Sequence, residues 1–249
     1  MAKIDGIVEI QGTVKGVTFY RTKDGMLARA KGGISKKRMK TDPAFQRTRE
    51  NGLEFGHNAK MGKLLRNSAV SLMQLAKDSR VSSRLTQTMS QIKNLDLVSD
   101  RGQRQVGIGI LTPEGQKLLK GFDFNSKATM GSVFRGELYL DPVTGVVVLP
   151  DFNPDFHLAA PTGTTHASFS MAVSRIDFEL AEHKTRYSNK ENVAVTAAMA
   201  TYTLTPSEIP VGAGKFIYYF LIEFFQEMNG TQYPLKNNTY NVLTVLEVV

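Results

Sequence analysis

RTKDGMLARAKGGISKKRMKTDPAFQRTRENGLEFGHNAKMGKLLR, residues 21–66, decides how the chain is to be read, because the backbone period changes inside it. The stretch starts β-rich, passes Gly32-Gly33 into a loop holding Lys36, Lys37, Arg38 and Lys40, and enters a helix at Thr41-Asp42-Pro43. Thr41 or Asp42 can cap that helix, and Pro43 in its first turn has a φ already suited to helical geometry. Between residues 21 and 49 stand Arg21, Lys23, Arg29, Lys31, Lys36, Lys37, Arg38, Lys40, Arg47 and Arg49 against only Asp24 and Asp42, a net charge of +8 that equals the formal charge of the whole protein. These ten cations are the candidate partner- or nucleic-acid-binding residues, and the loop is expected to be mobile unless something acidic neutralises it.

Upstream, IVEIQGTV, VTFYRT and MLARAK, punctuated by Gly12, Gly16 and the turn signal Lys23-Asp24-Gly25, predict two or three short strands in a meander, so that residues 1–40 form a small β region ending in the basic loop. Downstream, residues 41–120 read as helical. Phe45, Leu53, Phe55 and Met61 are the expected anchors of the first helix, with Arg47, Arg49, Lys60 and Lys63 outward. Gly52, Gly56 and Gly62 each cost about 1 kcal/mol against Ala in a helix interior, which predicts a break near residues 52–56. Val81, Leu85, Met89 and Ile92 make an amphipathic stripe, and Thr112-Pro113-Glu114 opens a last short helix that Gly121 ends.

Residues 121–249 read as all-β, with strands expected at 132–140, 144–149, 165–177, 178–180 after a bend, 192–204, 215–228 and 239–249. Asp141-Pro142, Pro161-Thr162-Gly163, Asn229-Gly230 and Asn237-Asn238 supply turns. Strands in succession without helices predict an antiparallel β-sandwich. The fold class is therefore α+β: a small N-terminal β meander, a basic helical segment and a C-terminal sandwich. FIYYFLIEFF at 216–225 contains Glu223 and falls far short of the roughly 20 residues that cross a bilayer, so it reads as a buried strand rather than a membrane insertion. The final strand is either tied into the sheet or offered to a partner. Candidate assembly strands are Ile4, Ile7, Val8 and Ile10 at the front and Val242, Val245 and Val248 at the back.

Composition narrows the chemistry. A chain of 249 residues, 41% hydrophobic, can bury a sizeable core, and the absence of cysteine excludes disulfides, thiolate metal sites and cysteine nucleophiles. Asp5 and Glu9 stand where a secretory signal would need apolar residues, which points to the cytoplasm or to an assembled particle released without a signal peptide. His57, His157, His166 and His183 lack metal-motif spacing, although His157 and His166 could meet near Asp155. Asp151, Asn153 and Asp155 begin like a calcium loop but have Phe156 and Thr162 where Gly and Glu are needed. VGAGK at 211–215 ends like a phosphate loop, yet Ile209 replaces its first Gly and Phe216 its Ser/Thr. Neither a nucleophile elbow nor a Ser/His/Asp grouping can be recognised, so no catalytic residue, metal or cofactor is expected and the chain reads as non-enzymatic.

The phrases GTVKGVTFYRTKDGMLARAKGG and DPAFQRTRENGLEFG, followed by RLTQ, THASF and DFE, resemble an uncharacterised family of bacterial proteins, chiefly from the Bacteroidota. That resemblance spans the chain and implies no activity, cofactor or site residue. Two functions then follow from charge and pattern. Residues 1–120 hold 23 Lys/Arg and 10 Asp/Glu, net +13, against 8 and 13, net −5, in residues 121–249. A basic front meeting an acidic back of another copy predicts a self-assembling filament, sheath or phage-like particle subunit, a homo-oligomer built by heterologous contacts. The alternative is sequence-nonspecific nucleic-acid binding through residues 21–66.

Overall fold

The computed structural model describes residues 2–3, 10–22 and 25–249. The chain forms two compact units, Met1–Arg49 and Glu50–Val249. The expected three-part division at 40 and 120 is thus redrawn, because the helices and the large sheet share one core.

In the first unit, strands β1 (Ala2–Lys3), β2 (Gly12–Val14), β3 (Val17–Thr22) and β4 (Gly25–Ala30) make an antiparallel sheet in the order β1-β4-β3-β2. The expected meander is β2 to β4, with β1 added beside β4. Lys15 and Gly16 both take positive φ, 44° and 85°, the left-handed pair that closes a two-residue hairpin. Residues paired directly across the ladder share a face, so Val14, Val17, Phe19, Ala28 and Ala30 lie on one side and Thr13, Thr18, Tyr20, Leu27 and Arg29 on the other. Among the described residues from 10 to 49 none is buried.

The basic loop is not irregular. Ser35 accepts the Arg38 backbone N–H at 3.2 Å and caps helix α1 (Lys36–Thr41). Asp42 then accepts the Ala44 N–H at 3.0 Å over the single turn Pro43–Phe45, and α2 (Gln46–Ser68) follows without interruption for 23 residues. The expected break at residues 52–56 is absent. Nothing among the described residues lies within 4 Å of a Cβ placed on Gly52 or Gly56, so neither glycine serves packing against them, whereas a Cβ placed on Gly62 would stand 3.6 Å from Leu85 Cβ. Leu53 and Phe55, expected as anchors, are each 66% exposed. Met61 is buried as expected, and it shares the inward face of α2 with Glu54, Asn58, Leu64 and Leu65, spaced three and four apart as a helix requires.

Glu54 can face inward because its charge is fully matched. Its carboxylate receives Lys93 Nζ at 2.5 Å, Arg104 Nε and Nη2 at 2.8 Å each, and the Gly102 N–H at 2.8 Å. The bidentate Arg104 contact, foremost, holds the carboxyl at a pKa of about 2.

The second unit continues through α3 (Val70–Leu75), α4 (Val81–Lys93), α5 (Val106–Gly109), α6 (Pro113–Leu119), α7 (Met130–Val133), β5 (Tyr139–Leu140), β6 (Val147–Phe152), α8 (Pro154–His157), β7 (His166–Asp177), β8 (Glu182–Tyr187), β9 (Glu191–Ala194), β10 (Ala200–Leu204), β11 (Lys215–Met228), β12 (Thr231–Pro234) and β13 (Val242–Val248). The long strand β11 pairs with β7 along one edge and with β13 and β12 along the other. Its successive side chains alternate between two cores. Ile217, Tyr219 and Leu221 pack with Met61, Leu65, Leu85, Met89 and Ile92 of the helices. Tyr218, Phe220, Ile222 and Phe224 pack with Val147, Leu149 and Leu204 of the three-stranded sheet β10-β6-β5. A strand covered on both faces reads as an unbroken apolar run, which is why FIYYFLIEFF shows no alternation. The two facing antiparallel sheets meet the sandwich expectation, and the helices add a third layer. The stripe Val81, Leu85, Met89 and Ile92 is buried throughout.

Several strand expectations change. Residues 132–140 hold the end of α7, the single bridge Phe134–Leu158 and only two strand residues. The Thr129–Ser132 capping box stabilises a helical turn there. Residues 178–180 are the turn between β7 and β8, with Asp177 Oδ1 accepting the N–H groups of Glu179 and Leu180 at 2.9 Å. The single strand expected at 192–204 is two strands in two sheets, β9 beside β7 and β10 beside β6.

The C-terminal strand is occupied on both edges. β11 lies on one side. On the other, the Gly121 N–H reaches Val245 O, the Phe124 N–H reaches Leu243 O and the Val245 N–H reaches Phe122 O, at 2.8, 2.8 and 3.0 Å. Val242, Val245 and Val248 are buried in this chain's own cores, so the tied-in alternative holds and they are not an edge offered to a partner. Ile4, Ile7 and Val8 lie outside the described residues, and Ile10 is exposed. Among the described residues no helix is long and apolar enough to cross a membrane.

Candidate functional site

The ten candidate cations separate by what their side chains do. Arg38 Nε bonds Asp42 Oδ2 at 2.9 Å and its guanidinium lies over the Phe45 ring at 5.9 Å. This contact, ahead of the Ala44 N–H, lowers the Asp42 pKa. Arg49 Nη1 donates to the carbonyls of Met39 and Asp42, both at 2.9 Å, and so ties α1 to α2. These two hold the segment in shape. Arg29 lies 5.3 Å over the Tyr20 ring, which orients its guanidinium on the polar sheet face. Arg21 is exposed on β3, and Lys23 lies outside the described residues. Lys31, Lys36, Lys37, Lys40 and Arg47 are exposed, with no ion pair among the described residues.

Charge follows the two structural units more sharply than it follows the halves of the sequence. Residues 1–49 carry twelve Lys/Arg against four Asp/Glu, net +8, while residues 50–249 carry nineteen of each, net zero. The acidic excess of residues 121–249 is cancelled within its own unit by the basic helices 50–120. The opposite-sign partner half inferred from the sequence is therefore not a separate body.

In the second unit, a cleft of ≈ 350 Å³ is lined by Glu54, His57, Lys60, Arg104 and neighbours. Glu54 is saturated as described, and His57 Nε2 accepts the Val106 N–H at 2.9 Å, which fixes the neutral tautomer. Burial, aided by Lys60, lowers the His57 pKa. Both groups serve the packing of α2 on residues 96–106. Asp96, nearly inaccessible, pins the same segment. Burial alone would raise its pKa, but the N–H groups of Ser99, Gln105 and Val98 outweigh it. Sequence reading missed this cluster because Glu54, Lys93 and Arg104 share no local spacing.

The remaining suspected motifs have structural duties. Asn153 Oδ1 accepts the Asp155 N–H and caps α8, and His157 Nδ1 accepts the Asn153 N–H. His166 instead faces Glu227 at 3.6 Å. In the 211–215 loop Gly214 has φ +99°, and a Cβ there would meet Ile176 O at 2.1 Å, so glycine is required by backbone approach. Among the described residues no group of three or more His, Asp or Glu side chains is arranged to hold a metal ion. Comparison with protein families, with curated proteins and with solved structures finds no match.

Proposed function

We propose that this chain is a non-enzymatic binding protein whose N-terminal unit engages a polyanion, and that the phosphate backbone of nucleic acid is the polyanion its chemistry fits best. The observation that carries this reading is the confinement of the whole +8 charge to residues 1–49, beside a neutral second unit. A unit without a buried side chain among its described residues gains stability from a partner, and Lys31, Lys36, Lys37, Lys40 and Arg47 are disposed for an anionic one. Such binding is sequence-nonspecific and driven by counterion release.

The test is fluorescence anisotropy with mixed-sequence duplex DNA across a salt series. Replacing Lys36, Lys37, Lys40 and Arg47 by Ala, which spares the Arg38 and Arg49 interactions, should weaken binding at least ~10-fold at low salt. It should also reduce the log–log salt slope by about 3.6, since each of the four phosphates that is no longer neutralised removes about 0.9 from it. Salt-independent binding, or an unchanged variant, would remove the basic unit from the account.

Self-assembly is the second reading, and one observation favours it. The outward face of α2 carries Gly52 and Gly56 in open space between exposed Leu53 and Phe55, an apolar trough that another copy's backbone can enter closely. Light scattering on nuclease-treated protein should then reveal oligomers that L53S/F55S disperses. A monomer at every concentration would end this reading.

A further inference from the structure

The sheet of the second unit carries charges in an arrangement that its own side chains do not resolve. Across the β8–β7–β11 ladder, Lys184, Arg175 and Phe216 stand directly opposite one another on one face. One step along the same face, Asp177 stands opposite Glu182. Residues paired in this way have Cβ atoms about 4.5–5.5 Å apart, and like charges there repel. The protein thus sets a cation against a cation and, roughly 6–7 Å further along the strands, an anion against an anion.

No ion pair among the described residues relieves either row. Arg175, Lys184 and Glu182 make no ion pair and no side-chain hydrogen bond among the described residues, and the buried Arg175 Nε lacks a partner. The guanidinium lies 4.1 Å from the Phe216 ring centroid, a stack that fixes its plane. Asp177 uses Oδ1 on its own turn. All four charged residues line a single open depression of ≈ 400 Å³, whose lining also includes His183, Val211, Gly212 and Ala213. Gly212 there has φ +140° and nothing within 4 Å of a Cβ position, which leaves bare backbone facing open space. The volume lies within the range of about 300–1,000 Å³ usual for small-ligand sites.

We infer that this depression is a binding site for a small zwitterion of the α-amino-acid class, its carboxylate held by Arg175 and Lys184 and its ammonium group by Asp177 and Glu182. A simple anion would satisfy the basic row and be repelled by the acidic one, and a simple cation the reverse. A ligand carrying both charges neutralises each row at once.

The test is a ¹⁵N-resolved NMR titration of the full chain with L-glutamine and L-alanine, alongside propionate, which lacks the amine, and ethylamine, which lacks the carboxylate. Saturable shifts at residues 182–184 and 211–214 with the amino acids, and at least tenfold weaker responses to the two fragments, are expected. Arg175→Met keeps an apolar stem over Phe216 and should lower affinity at least tenfold. Lys184→Gln, at an exposed position that leaves folding intact, should do likewise and decides the matter should R175M fail to fold. Absence of saturable shifts with both amino acids, propionate binding as tightly as L-alanine, or K184Q binding as the native chain does would each overturn the assignment.

Discussion

Glu54→Gln lowers the unfolding free energy by about 3–5 kcal/mol, the range for breaking one partner out of a buried ion pair. The loss arises from what is left behind. Lys93, whose side chain is only 5% exposed, and the inner edge of Arg104 would keep their charge in a poorly solvated place with a neutral amide in front of them. Urea unfolding followed by circular dichroism at neutral pH measures the effect, and an unchanged midpoint would refute the burial argument. E54L/K93M, which removes both charges and fills the space with apolar groups, should recover much of the loss. The pH dependence has a definite sign. Glu54 titrates at about 2 in the folded chain against an ordinary 4.5, so its contribution is fully present above about pH 4.5 and is lost as pH falls toward 2. In E54Q that portion of the acid profile should vanish.

Phe220→Ala costs a similar amount, about 3–5 kcal/mol. Phe220 is fully buried on the sandwich side of β11. Its ring is stacked with Phe169 at 6.2 Å and 12° and meets Phe134 edge-on at 6.1 Å and 76°. β11 is held by strands on both sides, so the backbone cannot sink into the void that truncation leaves. Phe220→Leu should cost less than half as much, because it restores most of the volume. Equal losses for the two variants in guanidinium unfolding would argue that ring geometry rather than volume is what matters.

What could be read from the sequence was what local chemistry decides. Asp42-Pro43 marks a cap and a helical first turn, the Val81 to Ile92 stripe is buried, and β11 occupies its expected residues. Asn229 and Gly230 take the positive φ values, 52° and 76°, that a tight hairpin needs. What escaped was decided at a distance. Leu53 and Phe55 read as anchors in the sequence because hydrophobic side chains usually face inward, yet the helix turns on Glu54, whose cationic partners come from α4 and from the loop before α5. The glycines of α2 suggested a kink because propensity is local, whereas this helix is fixed by the packing of its opposite face. The candidate cations were visible individually. That Arg38 and Arg49 are committed to shaping their own segment depends on Asp42 and on two backbone carbonyls.

The central place of β11 and β13 imposes an order on biosynthesis. Helical residues from Met61 to Leu119 complete their core only against side chains at 217–248. At ~5–20 residues per second of translation, roughly 6–25 s separate their appearance from that of the last strand. Throughout that interval the nascent chain carries uncovered apolar helix faces, while the basic leading unit is already outside the ribosome. Chaperone capture is therefore expected to act on residues 61–176, and a stall before residue 242 should yield a chain that aggregates on release rather than one that folds.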